Sequence, residues 1–453
     1  MDNSTRRQFG RTVLAGAAAS ITGKLLAQGQ ETACAPPTGE VIEFVIPTNL
    51  KNIQRKPISA LNQNEINRLR LGYQKLRDLS ASDPTDPRGW LQQANVHCWQ
   101  CGGSGTDIHS SWKFLPWHRA FLYFHERILC KLLNDNTFRL PYWSWDDKST
   151  RSLPAIYRSA SINGKSNSLY DEHRSTDAAK GSSMPASIFP QDSNPMNAGN
   201  FASFGGSDGH AGSLEDGPHG AVHNWTGSND DQSSDMGNLW LAGRDPVFFA
   251  HHCNIDRLWA EWNRRNPVAH ANPTDGSFLG LSFNFFDENK QLVNIKVQDV
   301  LDTAPLGFSY PPGAKLAKTK IPKWTQLTYD TGTHLLQLPQ TIRARVIAPS
   351  VIAVQRSLVV EQVVLPMKSG TYNVFVGEPP AAGADQSTAS NYLGYIGLIV
   401  SPHMHDHKCS LVLNATTEFL QRAGNGGAML TFAAAGTTKG ERLEFSTAYL
   451  TEE

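Results

Sequence analysis

The chain has 453 residues, 40% of them hydrophobic, and its 41 Lys plus Arg balance 41 Asp plus Glu. That length and apolar share can bury a large core and suggest two or three domains. Zero net charge leaves no global field for nucleic acid or an acidic surface, so no nucleic acid partner is expected and the partners should be small and neutral, or found locally.

In chain order, STRRQFGR (Ser4 to Arg11) precedes a short apolar, small-residue run from Thr12 to Gly23. A charged start followed by such a run reads as a secretory signal, and the paired Arg6 and Arg7 resemble a twin-arginine signal, which implies the twin-arginine (Tat) export machinery as a partner. Residues 1–27 are read as this signal, giving an exported protein, periplasmic or secreted. The run is too short to span a bilayer, and no other segment approaches the length of a transmembrane helix, so no integral membrane segment is expected. Val41–Pro47 reads as a short strand. Asn62–Leu79 reads as an amphipathic helix with Ile66, Leu69, Leu76 and Leu79 on its apolar side. A loop with two Asp-Pro pairs (Asp83 to Pro87) leads to WLQQANVHCWQCGG, and a helix carrying His118 and His125 follows.

From about Ser159 to Gly217 the composition turns to Ser, Gly, Asn and Asp, which reads as a structureless excursion or lid. Helical patterning resumes at PHGAVHNW and at Pro246–Trp262. Gly276–Thr303 mixes short apolar runs with turns, and Pro311–Trp324 reads as an exposed linker. Thr341–Leu365, Thr371–Val376, Tyr395–Val400, Ser410–Leu413 and Arg442–Ala448 have strand-like spacing. The fold class is therefore a mainly α catalytic domain, a helical bundle, followed by a β-rich C-terminal domain read as a sandwich.

Fifteen histidines are present, many of them grouped. His219 and His223 stand one helical turn apart in PHGAVH, about 6 Å, close enough for two imidazoles to converge on one ion. His252 precedes Asp256 by one turn in AHHCNID, where a carboxylate could hold a ring nitrogen or position the ligand helix. His118 and His125 share a face, but seven residues of helix separate them by about 10.5 Å, far beyond the roughly 3 to 4 Å between two imidazole nitrogens on one metal. At most one of them serves any one ion. His97, His109 and His118 can close one three-imidazole site, and His219, His223 and His252 another. Such sites suit copper, zinc or iron, and spacing does not choose among them. Six cysteines (Cys34, Cys98, Cys101, Cys130, Cys253, Cys409) are enough for one bridge in an exported protein, and their spacing does not give the pairing. SPHMHDHKC (Ser401 to Cys409) packs three more histidines into what reads as a solvated loop.

These stretches resemble the type-3 copper family of tyrosinases, catechol oxidases and plant-type polyphenol oxidases. HSSWKFLPWHRAFLYFHE from His109 is similar to the first-copper signature, and DPVFFAHHCNID from Asp245 to the second, in which His252 is the ligand. DMGNLWLAGRDP, PHGAVHNWTG and FFDENKQLVNIKVQDVLDTAPLGFSYPP also look like the plant enzymes. The resemblance implies a tyrosinase-like dicopper domain over 28–270, a plant-type middle segment and linker over 271–325, and a β-rich C-terminal domain over 326–453 that covers the site in a latent form. It implies two copper ions as cofactor and O2 as co-substrate, with His97, His109, His118, His219, His223 and His252 as ligands and Asp256 supporting them. His125 and His251 stay outside the six as structural residues.

The implied activity is oxidation of o-diphenols to o-quinones, with ortho-hydroxylation of monophenols as a second, monooxygenase activity and a small phenol as substrate, in a bacterial member of the family. The same centre would also serve an o-aminophenol oxidase or a haemocyanin-like oxygen carrier. By resemblance, Cys101 forms a thioether to His109 and Cys34 a disulfide to Cys98, leaving Cys130, Cys253 and Cys409 as buried free thiols. Glu215 occupies the water-holding glutamate position, where it could help deprotonate a phenol. Leu239 falls at the substrate gate over the first copper. Gly220 stands after His219, where many tyrosinases carry Asn, with Asn224 as a possible substitute.

Overall fold

The computed structural model describes residues 39–100, 108–185, 194–227 and 235–312 and, beyond 312, the strands between residues 325 and 452 with a few flanking residues. The signal stretch, Cys34, Cys101 and residues 401–407 lie outside the described residues.

Five helices frame the N-terminal part: α1 Gln63–Ser82, α2 Trp90–Gln100, α3 Phe114–Leu133, α4 Gly220–Thr226 and α5 Val247–Arg265. α1 starts where a reciprocal cap is possible. The Asn62 side chain accepts from the Glu65 amide at 3.0 Å and the Glu65 carboxylate accepts from the Asn62 amide at 2.9 Å. α3 stops at Asn134, which turns left-handed (φ 52°, ψ 45°) and donates its amide back to Cys130 and Lys131. α5 begins after Asp245, whose carboxylate accepts the Val247 amide at 2.9 Å and two bonds from Arg174, each 2.7 Å.

α3 is apolar almost all round, and a helix of that kind must be enclosed. Its Phe121 and Phe124 meet Phe248 and Phe249 of α5 and Phe285, forming the aromatic centre of the core. Phe285 lies on a small sheet of β1 Ile42–Glu43, β2 Ser282–Phe286 and β3 Leu292–Lys296, in the order β1-β3-β2. The strand expected over Val41–Pro47 is only two residues long: Ile42 and Glu43 pair with Val293 and Asn294 of β3, and the Phe44 amide adds one bond to the Asn294 carbonyl at 2.8 Å.

Residues 159–217, expected to be a structureless excursion, carry regular structure in their described parts. They form a short hairpin (Ser161–Ile162 with Lys165–Ser166) and helices at Thr176–Lys180 and Phe201–Gly205. The polar composition is absorbed by buried bonding: Asn167 donates to the carbonyls of Ile156 and Ser159, and Arg174 to Asp245.

The C-terminal strands are β4 Thr325–Gln326, β5 His334–Leu336, β6 Thr341–Val346, β7 Arg356–Val364, β8 Gly370–Val376, β9 Tyr392–Leu398, β10 Lys408–Ala415, β11 Ala428–Ala435 and β12 Thr447–Glu452. They build two antiparallel sheets, ordered β9-β8-β11-β6-β5 and β10-β7-β12-β4. β11, which has four alanines in AMLTFAAA and weak strand propensity, had no counterpart among the sequence expectations. It lies between β8 and β6, with Thr431 and Phe432 fully buried. Among the described residues no helix is long and apolar enough to cross a membrane.

Candidate metal centre

Six segments bring six of the histidines together. α2 presents His97, the segment before α3 presents His109, and α3 presents His118; their ring centroids lie 5.2 to 5.5 Å apart. A π-helical turn over Glu215–His219, kinked at Gly217 and Pro218, presents His219. α4 presents His223 and α5 His252, with centroids 4.7 to 5.4 Å apart. The two triangles face each other: His118 stacks on His252 at 4.1 Å and His109 on His219 at 6.2 Å. Phe248 packs against His97 and His252, and Phe114 against His118 and His219.

Ring orientation follows from the backbone. Nδ1 of His97 donates to the Leu239 carbonyl at 2.9 Å, His118 to Phe114 at 2.8 Å, His219 to Glu215 at 3.2 Å and His223 to Met236 at 2.9 Å. Each of these bonds places the ring proton on Nδ1 and the lone pair on Nε2. Burial, reinforced by neighbouring imidazoles, pushes the His97 pKa down to about 3 and holds His109, His118, His219 and His252 well below the usual value. For His223, burial alone lowers it, to about 4. All six are neutral donors at pH 7.

Nε2 of His118 and of His219 and Nδ1 of His252 are buried with no hydrogen-bond partner, while Nε2 of His223 and His252 face each other at 3.2 Å. A buried acceptor left unmade costs about 1–3 kcal/mol, so lone pairs pointed at one another are the signature of a set waiting for a cation. Neither triangle contains a carboxylate or thiolate, a donor set that fits copper, zinc or iron.

Other expected residues take definite places. Asp256 does not hold a histidine ring; it accepts from Arg119 Nε at 2.5 Å, Tyr310 hydroxyl at 2.6 Å and Arg55 at 3.4 Å. Because Arg119 lies on α3 next to His118, Asp256 instead ties the two ligand helices to each other. Glu215 is buried, not an exposed loop carboxylate, and accepts the Ser110 amide at 2.8 Å beside His109. Leu239 is buried, with its carbonyl on His97. Gly220 lies against the backbone of Gly397, and Asn224 donates to the Leu398 carbonyl at 3.3 Å, so its amide faces the C-terminal sheet.

His125 bonds Gln93 and stacks on Phe249 at 3.7 Å, away from both triangles. Cys98 is disulfide-bonded; Cys34, its expected partner, and Cys101, the expected thioether partner of His109, lie outside the described residues. Cys253 is a buried free thiol as expected, whereas Cys130 is only half-buried, its thiol directed at the Phe138 carbonyl at 3.4 Å.

Three features escaped the sequence reading. His251 joins His219, His223 and His252 within one group of possible ligand atoms. Trp145 donates to His251 Nδ1 at 3.0 Å, from the PYWSWDD loop. Asp171, His173 and Asp235 form a separate cluster, in which burial and the neighbouring carboxylates raise the pKa of both aspartates.

Two facing three-imidazole sets, buried in a helical framework, define a dinuclear metalloprotein centre. Residues 87–194 and 173–265 match the family model of the common central domain of tyrosinase, and 272–322 that of the polyphenol oxidase middle domain. The chain is 36% identical over 362 residues to the chloroplastic polyphenol oxidase of Vitis vinifera, covering 68% of this chain and 57% of that one. With catechol oxidase B of Solanum tuberosum it shares 33% identity over 321 residues, 62% of this chain and 53% of that one. It thus spans little more than half the length of these curated relatives. Among solved structures, the Grenache (Vitis vinifera) polyphenol oxidase is 35% identical with TM-score 0.55, covering 62% of this chain and 91% of that one. A latent apple tyrosinase is 27% identical with TM-score 0.74, covering 91% and 100%.

The chain belongs to the tyrosinase family, on its plant-type polyphenol oxidase side. The family's central domain implies a binuclear copper centre, and the two histidine triangles fit one.

Proposed function

We propose that this chain is a polyphenol oxidase that converts o-diphenols to o-quinones, with O2 as the oxidant. The observation that carries this reading is the pair of facing, buried, neutral three-imidazole sets with neither a carboxylate nor a thiolate among their donor groups. His97, His109 and His118 would hold one copper, and His219, His223 and His252 the other. When bound, the pair supplies two one-electron couples, so each catechol gives up two electrons and two protons, and two turnovers reduce one O2 to two waters.

The protein's own residues do the rest. Phe114 and Phe248 keep the centre dry, and the backbone carbonyls of Phe114, Leu239, Glu215 and Met236 fix the rings. Glu215, buried beside His109, is assigned to holding a water that accepts the phenol proton, and Leu239 to shaping the entrance over the first copper. Ortho-hydroxylation of monophenols is assigned as the weaker activity: Gly220 has no side chain to orient that water, and the Asn224 amide is engaged with Leu398.

We further read 28–270, 271–325 and 326–453 as catalytic domain, middle segment and cover. The contact of β9 with α4 at Gly397 and Gly220 supports that reading of the cover. The STRRQFGR stretch supports export by a twin-arginine route, a bacterial arrangement.

Oxygen consumption tests the function, using 4-methylcatechol, tyramine, tyrosine and 2-aminophenol on the copper-loaded chain before and after limited proteolysis between residues 313 and 324. Quinone formation from the catechol exceeding turnover of tyramine and 2-aminophenol is expected. Reversible O2 uptake without quinone would make the chain an oxygen carrier, and preferred turnover of 2-aminophenol an aminophenol oxidase.

A further inference from the structure

Four histidines, not three, surround the second copper position. Nitrogens of His219, His223, His251 and His252 lie within 4.8 Å of one another, and all four rings are buried. His251 stacks on His219 (5.5 Å, 15°) and meets His223 edge-on (4.8 Å, 88°), so its distance from the other rings does not disqualify it as a ligand. A fourth imidazole would close the coordination position that a substrate or O2 needs.

What sets His251 apart is its hydrogen bond. His97, His118, His219 and His223 each give Nδ1–H to a backbone carbonyl, which leaves the lone pair on Nε2. His251 does the reverse: its Nδ1 receives the indole N–H of Trp145 at 3.0 Å. Indole nitrogen is a donor only, so His251 Nδ1 must carry a lone pair and the ring proton must sit on Nε2. A protonated Nε2 has no pair to give a metal.

The loop that delivers Trp145 is clamped to α5 on both sides of this bond. Trp143 donates its amide to the Ala250 carbonyl at 2.9 Å, and Asn254 donates to the Asp146 carboxylate at 2.9 Å. Arg257 reaches the same Asp146 oxygen at 2.6 Å. These three contacts, spread over about two turns of α5 from Ala250 to Arg257, hold the indole in register with His251.

We propose that Trp145 is a positioning residue that locks His251 in its Nε2–H tautomer, and so keeps the second metal site at three imidazoles with one position open. This rests on the dicopper reading, and the test separates the two. In the metal-free protein, nitrogen-15 correlation spectra of the histidine side chains report the tautomer directly. The native chain should show His251 protonated at Nε2, opposite to His223, and Trp145→Phe should move that proton to Nδ1. In the copper-loaded protein, Trp145→Phe should keep two coppers per chain yet bind azide at least about tenfold more weakly, since His251 then fills the open position. The double variant Trp145→Phe/His251→Phe should recover azide affinity, which a merely structural role for Trp145 would not produce.

An Nδ1–H tautomer in the native chain would overturn the proposal. So would unchanged azide affinity in Trp145→Phe, or a double variant no better than the single one. Failure of the native chain to take up two coppers would instead sink the dicopper reading and leave the tautomer result standing.

Discussion

Gly220 and Gly397 meet backbone to backbone: a Cβ on Gly220 would lie 1.9 Å from the Gly397 carbonyl oxygen, and one on Gly397 would lie 2.5 Å from the Ala221 amide nitrogen. The absence of a side chain after His219 thus has a packing reason, because any larger residue would drive β9 off α4. Gly397→Ala should therefore loosen the strand without touching a histidine. The expected result is faster catechol oxidation by the intact chain, approaching that of the proteolysed form, with cleavage between residues 313 and 324 also accelerated. An intact variant as slow and as protease-resistant as the native chain would show that β9 does not control access.

The two triangles should load independently. His252→Ala removes one of three ligands at the second position and should leave about one copper per chain with no catechol oxidation, whereas His125→Phe should retain about two, since His125 touches only Gln93 and the aromatic core. Metal analysis of the purified variants decides it; two coppers in His252→Ala would mean that His252 is not a ligand.

The six histidines were legible because signature stretches carry them, and both triangles assemble as the grouping suggested. What sequence could not supply was the orientation of each ring. The Leu239 carbonyl that aims His97 lies 142 residues away and the Met236 carbonyl that aims His223 lies 13 away, and a carbonyl has no residue-type signal. His251 and Trp145 were missed for a related reason: their pairing spans 106 residues and depends on a tautomer, which spacing does not encode. Asp256 has no histidine among its hydrogen-bond partners, and those partners, Arg55, Arg119 and Tyr310, lie 54 to 201 residues away, where spacing gives no signal. β11 was overlooked because burial between two strands overrides the low propensity of alanine.

Asp256 sits in a buried network: Arg55 pairs with both Glu126 and Asp256, and the Arg119 guanidinium lies 3.6 Å over the Trp259 ring while bonding Asp256. Removing the carboxylate takes the ion-pair partner from the buried Arg119 guanidinium, while Arg55 keeps Glu126, and breaking a buried pair costs about 3–5 kcal/mol. Asp256→Ala should lower the urea midpoint by an amount of that order and reduce copper retention, since α3 and α5 lose their common anchor. Stability within about 1 kcal/mol of the native chain would show that the network contributes no net stability.

Asp171 and Asp235 give the fold a pH dependence of the opposite sign to the histidines. Burial, then the nearby carboxylates, raises the pKa of both, with His173 at 3.4 Å from Asp235 and 3.7 Å from Asp171. Above about pH 4 the folded chain then holds more protons here than the unfolded chain, so this cluster's contribution to stability falls as pH rises. The buried histidines, with depressed values, hold fewer protons folded than unfolded below about pH 6.5, so their contribution falls as pH drops. Comparison with a variant isolates the aspartates, because the histidine contribution is common to both proteins. Asp171→Asn removes one of the two like charges, and the urea midpoint of the variant relative to the native chain should climb steadily as pH is raised from about 5 to about 8. A constant difference between the two proteins across that range would mean that the two carboxyls titrate normally.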